Sequence, residues 1–379
     1  MYLLPVFMAQ KGLTNSEIAQ EIVFRFLGVL VLAVPLGFFK NKSIYPMLMR
    51  VSAILIPIIG MGIVWFVEEK NFRWSTFLLF MWGAAFTFMQ VPIIPYLLKN
   101  VSARFSTHAI SLSYSTWSLG SIVSGLIIYL LSRVHPVIFN EFNLMMILCL
   151  LALSGWVLLF LYPPRAYKNA DLSFSGPEKN RLGKEDYVIL AEALFPTLII
   201  AVGAGFTIPL ISLFFYRIHH IPATDFSLYS FLAAVLVAVG SLSVPWIKKN
   251  FSFRLAVPLT QSFAVFFLIL LAITEYLKDF SFALPLALFS FLLRQPLMNM
   301  AGPMTTEVVI EYVGEKRRAI ASAITSGIWS GSYVISGWLA ANLFGMGFGF
   351  MQIFLITAAL YILGIALYYR LILKFEKNG

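Results

Sequence analysis

One stretch, FLLRQPLMNMAGP from Phe291 to Pro303, carries the groups with the clearest chemical potential in this chain. Arg294 stays charged in any protein setting, and it is flanked by apolar sequence on both sides. Ser290 and Met298 occupy the positions one turn away, so its own helix offers it no acid. Gln295 and Asn299 follow four residues apart and share a helix face. Pro296 and Pro303 free backbone carbonyls near the same depth. A cation, two amides and exposed carbonyls suit recognition of an anionic or strongly polar group on a small molecule. Gln90, just before Pro92, is the matching polar group earlier in the chain.

Ion coupling needs a side chain that can change its charge. Glu192 and Glu307 are candidates, each near the end of an apolar run. Glu21 precedes Arg25 by four residues, the favourable order for a pair along one helix, and the two form a third candidate. His219 and His220 are adjacent and lack further ligands at metal-site spacing. No metal or other cofactor is expected. Phosphate-binding glycine loops, zinc-protease signatures and the Gly-x-Ser-x-Gly elbow are all missing from the sequence, which argues against an ATP-driven pump or an ordinary hydrolase.

The elements that must position these groups are apolar helices. The chain is 60% hydrophobic and 12% charged, with a mean hydropathy of +0.87. Soluble domains carry about 25% charged residues, so this chain cannot cover a water-facing surface. Runs such as AILIPIIGMGIVWFV and LMMILCLLALSGWVLLFLY centre segments close to the ~20 residues that span a bilayer. The reading is an all-α polytopic membrane protein in contact with lipid. Twelve spans are expected: 1–10 (incomplete), 15–38, 44–67, 74–98, 106–131, 142–162, 187–215, 224–247, 254–277, 281–308, 317–343 and 346–371. The lone Cys149 falls inside one of them and can form no intrachain disulfide.

PPRAYKNADLSFSGPEKNRLGKED is the longest polar stretch and reads as a linker. The expected organisation is a six-helix half at 1–163, a linker at 164–185 and a second six-helix half at 186–379. With the linker in the cytoplasm, eighteen lysines and arginines face inward and six outward, and Arg25, Arg50 and Arg294 fall within spans. That bias fixes the orientation in a cell membrane, with the C-terminus also cytoplasmic. It also explains the net charge of +10 as loop charge, and no nucleic-acid partner is expected.

The halves resemble each other. HAISLSYSTWSLGSIVSG from His108 aligns with RAIASAITSGIWSGSYVISG from Arg318, matching Trp117 to Trp329 and Ser124-Gly125 to Ser336-Gly337. LPVFMAQKGLTNSEIAQ from Leu4 aligns with IPLISLFFYRIHHIPATDFSL from Ile208 through Pro5 and Pro209. Only four residues precede Pro5, where the seventh span has some twenty before Pro209, so a start further upstream is expected.

Twelve spans in two parallel halves around a long central linker resemble the major facilitator superfamily, over the whole chain. The loop GFFKNKSI after the second span keeps Gly37 and Lys42 of that family's loop pattern. It has Asn41 where Asp is typical and Ile44 in place of the second Gly. GAGFTIPLISLFF and LRQPLMNMAGPMTTEVVIEYVGEKRRA look like segments of bacterial members. The resemblance implies the family's fold and a monomeric secondary transporter of a small solute, working by alternating access. It places the first, fourth, seventh and tenth spans around the solute, hence Arg294, Gln295, Asn299 and Gln90, with Trp117 and Trp329 as further walls. A membrane sensor on the same fold, and a membrane-embedded lipid-processing enzyme, are the competing readings.

Overall fold

The computed structural model describes residues 2–37, 44–101, 106–161 and 183–378. The loop after the second span and most of the linker lie outside them. The chain divides into two compact units, Met1–Gly176 and Pro177–Gly379. The described residues are helical nearly throughout.

In the first unit the helices are α1 (Leu3–Gln10), α2 (Asn15–Gly37), α3 (Tyr45–Glu68), α4 (Phe72–Asn100), α5 (Ser106–Val134) and α6 (Glu141–Leu161). Local chemistry sets their ends. Before α2, Thr14 N–H donates to Glu17 Oε2 at 2.8 Å and Glu17 N–H donates back to Thr14 Oγ1 at 3.3 Å. That reciprocal pair satisfies donors that a helix start leaves open. α4 is the hub: it packs on α2 and α3, while α3 also packs on α6.

The second unit holds α7 (Lys184–Thr207), α8 (Ile211–His219), α9 (Ala223–Asn250), α10 (Phe253–Ile273), α11 (Ala283–Val313), α12 (Glu315–Gly345) and α13 (Phe350–Asn378). The seventh span was expected as one helix over 187–215. It is broken instead, by a 3-10 turn at Ile208–Leu210, because Pro209 has no N–H to continue the ladder. Pro296 and Pro303 act differently: α11 runs through both. Gly314, at φ +72°, ends α11 and opens α12, a backbone conformation that favours glycine.

Neighbour relations repeat between the units. Second on fourth, third on fourth and third on sixth span all occur in the first unit, and the same three pairings occur in the second as α9 on α11, α10 on α11 and α10 on α13. Among the described residues, seven helical segments are long and apolar enough to cross a membrane: α3, α4, α6, α7 with α8, α9, α10 and α13. The other long helices, α2, α5, α11 and α12, are the ones loaded with Glu21, Arg25, Arg294 and runs of Ser, Thr and Gly.

In the second unit the core at the α8 end is aromatic. Phe214, Phe215, Phe226, Phe291 and Phe354 are fully buried and Phe350 nearly so. Phe215 and Phe226 have ring centroids 5.0 Å apart, Phe226 and Phe291 5.3 Å, and Phe214 and Phe354 5.2 Å, the spacing of edge-on and offset ring pairs.

Candidate functional site

Arg294 is the largest fully enclosed side chain in the second unit, 1% exposed. From the sequence it was expected beside the solute, in contact with an anionic or strongly polar group. The structure closes the helix bundle over it instead. Around it stand Ser290, one turn back on α11 and 0% exposed, and Tyr361 of α13, 1% exposed. The Tyr361 hydroxyl is within electrostatic reach of the guanidinium. The two groups are close enough for a marginal hydrogen bond, but none of good geometry reaches that hydroxyl, Ser290 Oγ, or Arg294 Nε and Nη2 among the described residues. No carboxylate pairs with Arg294 among them either.

Arg294 is eleven residues into α11 and Tyr361 eleven into α13, so each is about 16 Å from the start of its helix. α7 comes close at this point because Gly203 has no side chain: a Cβ there would meet the Tyr361 ring at 2.8 Å. Next to it, Gly205 admits Ser336 of α12, whose hydroxyl donates to Val202 O at 2.6 Å. Small residues thus bring three helices together where the charge lies.

Gln295 and Asn299 do share a face, as expected. Asn299 is exposed, and its Nδ2 donates to Gln295 O at 2.8 Å; Gln295 is half-buried. Trp329 is 39% exposed, its ring centroid 6.5 Å from that of Tyr333. Gln90 is exposed on α4. Trp117 lies on α5, with its side chain outside the described residues. The structure brings Gln295 and Asn299 together but does not join Arg294 to them.

The acids separate by environment. Glu192 accepts a hydrogen bond from Tyr312 at 2.6 Å and pairs with Lys374, so α7, α11 and α13 are tied together through it. Glu307 is half-buried and has a partner. Glu21 is buried at 8% exposure, where Thr76 Oγ1 lies 2.5 Å from its Oε1 and its Oε2 has no partner among the described residues. Arg25 turns its guanidinium onto the face of Trp82, 4.3 Å from the ring centroid, a cation–π contact.

Sequence reasoning missed Tyr361 as the neighbour of Arg294, and no signal in the twelfth span could have found it. It also missed the crossing of α2 and α4. A Cβ on Gly28 would lie 2.0 Å from Phe80 O, and one on Gly83 would lie 1.9 Å from Arg25 O. Each glycine rests on the partner helix's backbone, and in each helix the accepting carbonyl and the glycine are three residues apart. Such reciprocal Cα–H···O contacts recur where helices touch backbone to backbone.

No sequence-family description matches the chain, and no curated protein matches it in sequence. Solved structures do match in fold. A bacterial homologue of the iron transporter ferroportin, in its inward-facing state, matches 98% of this chain and 93% of its own at TM-score 0.71 and 13% identity. The inward-open xylose transporter XylE from E. coli matches 97% of this chain and 89% of its own at TM-score 0.70 and 13% identity. The nucleoside transporter NupG matches 98% and 94% at TM-score 0.71 and 14% identity. The chain has the fold of these transporters, the major facilitator fold, as an all-helical polytopic membrane protein.

Proposed function

We propose that this protein is a secondary transporter that moves a small polar solute across the cell membrane by alternating access. The observation carrying this reading is the match in fold over 97–98% of the chain to transporters of unlike solutes. Gln295, Asn299 and Trp329 in the second unit, and Gln90 and Trp117 in the first, are the solute contacts it keeps. Arg294 is enclosed and takes a different part, treated below.

Proton coupling belongs to Glu21. Among the four coupling candidates it is the carboxylate that combines burial with an unpaired oxygen, whereas Glu192 serves as an ion-paired tie between helices. A buried acid of this kind can be neutral in one conformation and charged in another. The test uses purified protein in vesicles, with solutes chosen by a thermal-shift screen. An inward proton gradient should drive uptake in the wild type. Glu21→Gln should lose that drive and keep solute counterflow. Binding without flux or counterflow for every solute that binds would replace the transporter by a sensor.

Orientation follows the charge bias, with the linker and C-terminus cytoplasmic. Single cysteines at positions 70 and 278, in a Cys149→Ser background, should react with an impermeant reagent added outside intact cells. One at position 179 should react only after permeabilisation. Outside labelling at 179 would invert the topology.

A further inference from the structure

We propose that Arg294, Tyr361 and Ser290 form a binding site for one small inorganic anion of chloride size, enclosed within the second unit. A guanidinium keeps its charge even when buried, and a buried charge needs a counter-charge or a full set of hydrogen bonds. Arg294 has neither among the described residues: two of its three nitrogens are unpaired, and no carboxylate answers it. The other groups at the spot are hydroxyls. Buried threonines of this unit donate to their own helix, as Thr260, Thr305 and Thr357 do to carbonyls four residues back, while Ser212, Ser230 and Ser332 are unpaired but have no charge beside them like that of Arg294. Ser290 does not donate in this way, and Tyr361 also holds its hydroxyl unpaired.

The donor balance selects the ligand. Nε–H, Nη2–H and two O–H groups can all donate, and the group offers no acceptor that lacks a proton of its own. Water can satisfy these groups, since each hydroxyl also accepts, but it brings no charge; an anion accepts from all of them and also answers the buried guanidinium. Enclosure selects the size. Ser290, Phe291, Arg294 and Tyr361 are each at most 1% exposed, and the smaller the anion, the less α11 and α13 must part to admit it. A multi-atom organic anion would have to separate them. This inference stands apart from solute transport and would hold in a protein that moved nothing.

The test is thermal unfolding of the purified full-length protein in detergent, with chloride replacing gluconate at constant ionic strength. Ligand that binds only the folded state raises the melting temperature with concentration. The wild type should gain several degrees, saturably, and bromide should substitute for chloride. Arg294→Gln should lose the response. Ser290→Ala and Tyr361→Phe each remove one donor and should raise the half-saturating chloride concentration several-fold. They carry the test if Arg294→Gln does not fold. Equal responses in the wild type and all three variants, or none in the wild type, would overturn the proposal. Stabilisation by small carboxylates with no halide effect would also overturn it, and would give the guanidinium to an anionic solute.

Discussion

Gly83→Ala should cost about 3 kcal/mol or more, the upper end of overpacking losses, and Gly83→Leu should yield no folded protein. The added methyl group would lie 1.9 Å from Arg25 O. A flexible side chain could swing away from such a clash, but a helix carbonyl cannot. α2 and α4 would have to separate, and the reciprocal contact of Gly28 on Phe80 O would go with them. Gly28→Ala should therefore behave alike, and the double variant should lose less than the sum, since one separation relieves both clashes. Gly327→Ala is the control. A Cβ at Gly327 meets nothing within 4 Å, and alanine in an open helix position is favoured by about 0.5–1 kcal/mol. Melting temperature and the monodisperse fraction on size exclusion are the readouts. A Gly83→Ala protein as stable as the Gly327→Ala control would show that the two helices do not touch there.

Arg317→Leu is expected to destabilise the second unit by about 2–4 kcal/mol, near the range for breaking a buried ion pair. Arg317 Nε lies 2.6 Å from Asp186 Oδ1, and its Nη1 donates to Val313 O at 2.8 Å. The carboxylate side chain is 5% exposed, while the arginine, at 21%, keeps some solvent; the lower half of the range reflects that. Asp186 has a second duty, because its Oδ2 accepts from Gly183 N–H at 2.9 Å and caps α7. Arg317→Leu leaves the charge on Asp186 with less to balance it. Adding Asp186→Asn removes that charge and keeps an oxygen for the cap, so the double variant should recover part of the loss. Thermal melts of the two single variants and the double give the coupling. A double variant that loses the full sum would mean the pair contributes nothing as a pair.

Arg317 belongs to the EKRR segment, which by sequence counts only as inward-facing loop charge. The described part of it binds within its own unit, to the first turn of α7. That distinction marks what was legible. Apolar run length and residue matches at one offset are one-dimensional properties, and the spans and the repeat could be read from them. The break at Pro209 was legible only as a proline inside a run. Proline also occurs twice within α11, and there the helix continues through it.

The anomaly of Arg294 was legible because its hydration penalty does not depend on the fold. Its enclosure was not. α11 is apolar on most faces, so periodicity cannot say which side meets the protein and which meets lipid or water. The unpaired hydroxyl of Tyr361 comes from a helix that is 67 residues further along and otherwise plain. Gly28 and Gly83 were invisible for a related reason. An isolated glycine in an apolar helix reads the same whether a backbone or open space lies opposite it.

Six phenylalanines, from α8, α9, α11 and α13, cap Arg294 toward the α8 end of the second unit, and none is more than 2% exposed. Packed rings of this kind part only through rare openings that unfold a local segment. The cluster therefore works as a clock as well as a core. An anion that left the guanidinium by that end would wait on such an opening. For the proposed anion, affinity and exchange rate would then rest on different residues, the first on Arg294, Tyr361 and Ser290, the second on rings that hold no polar atom at all.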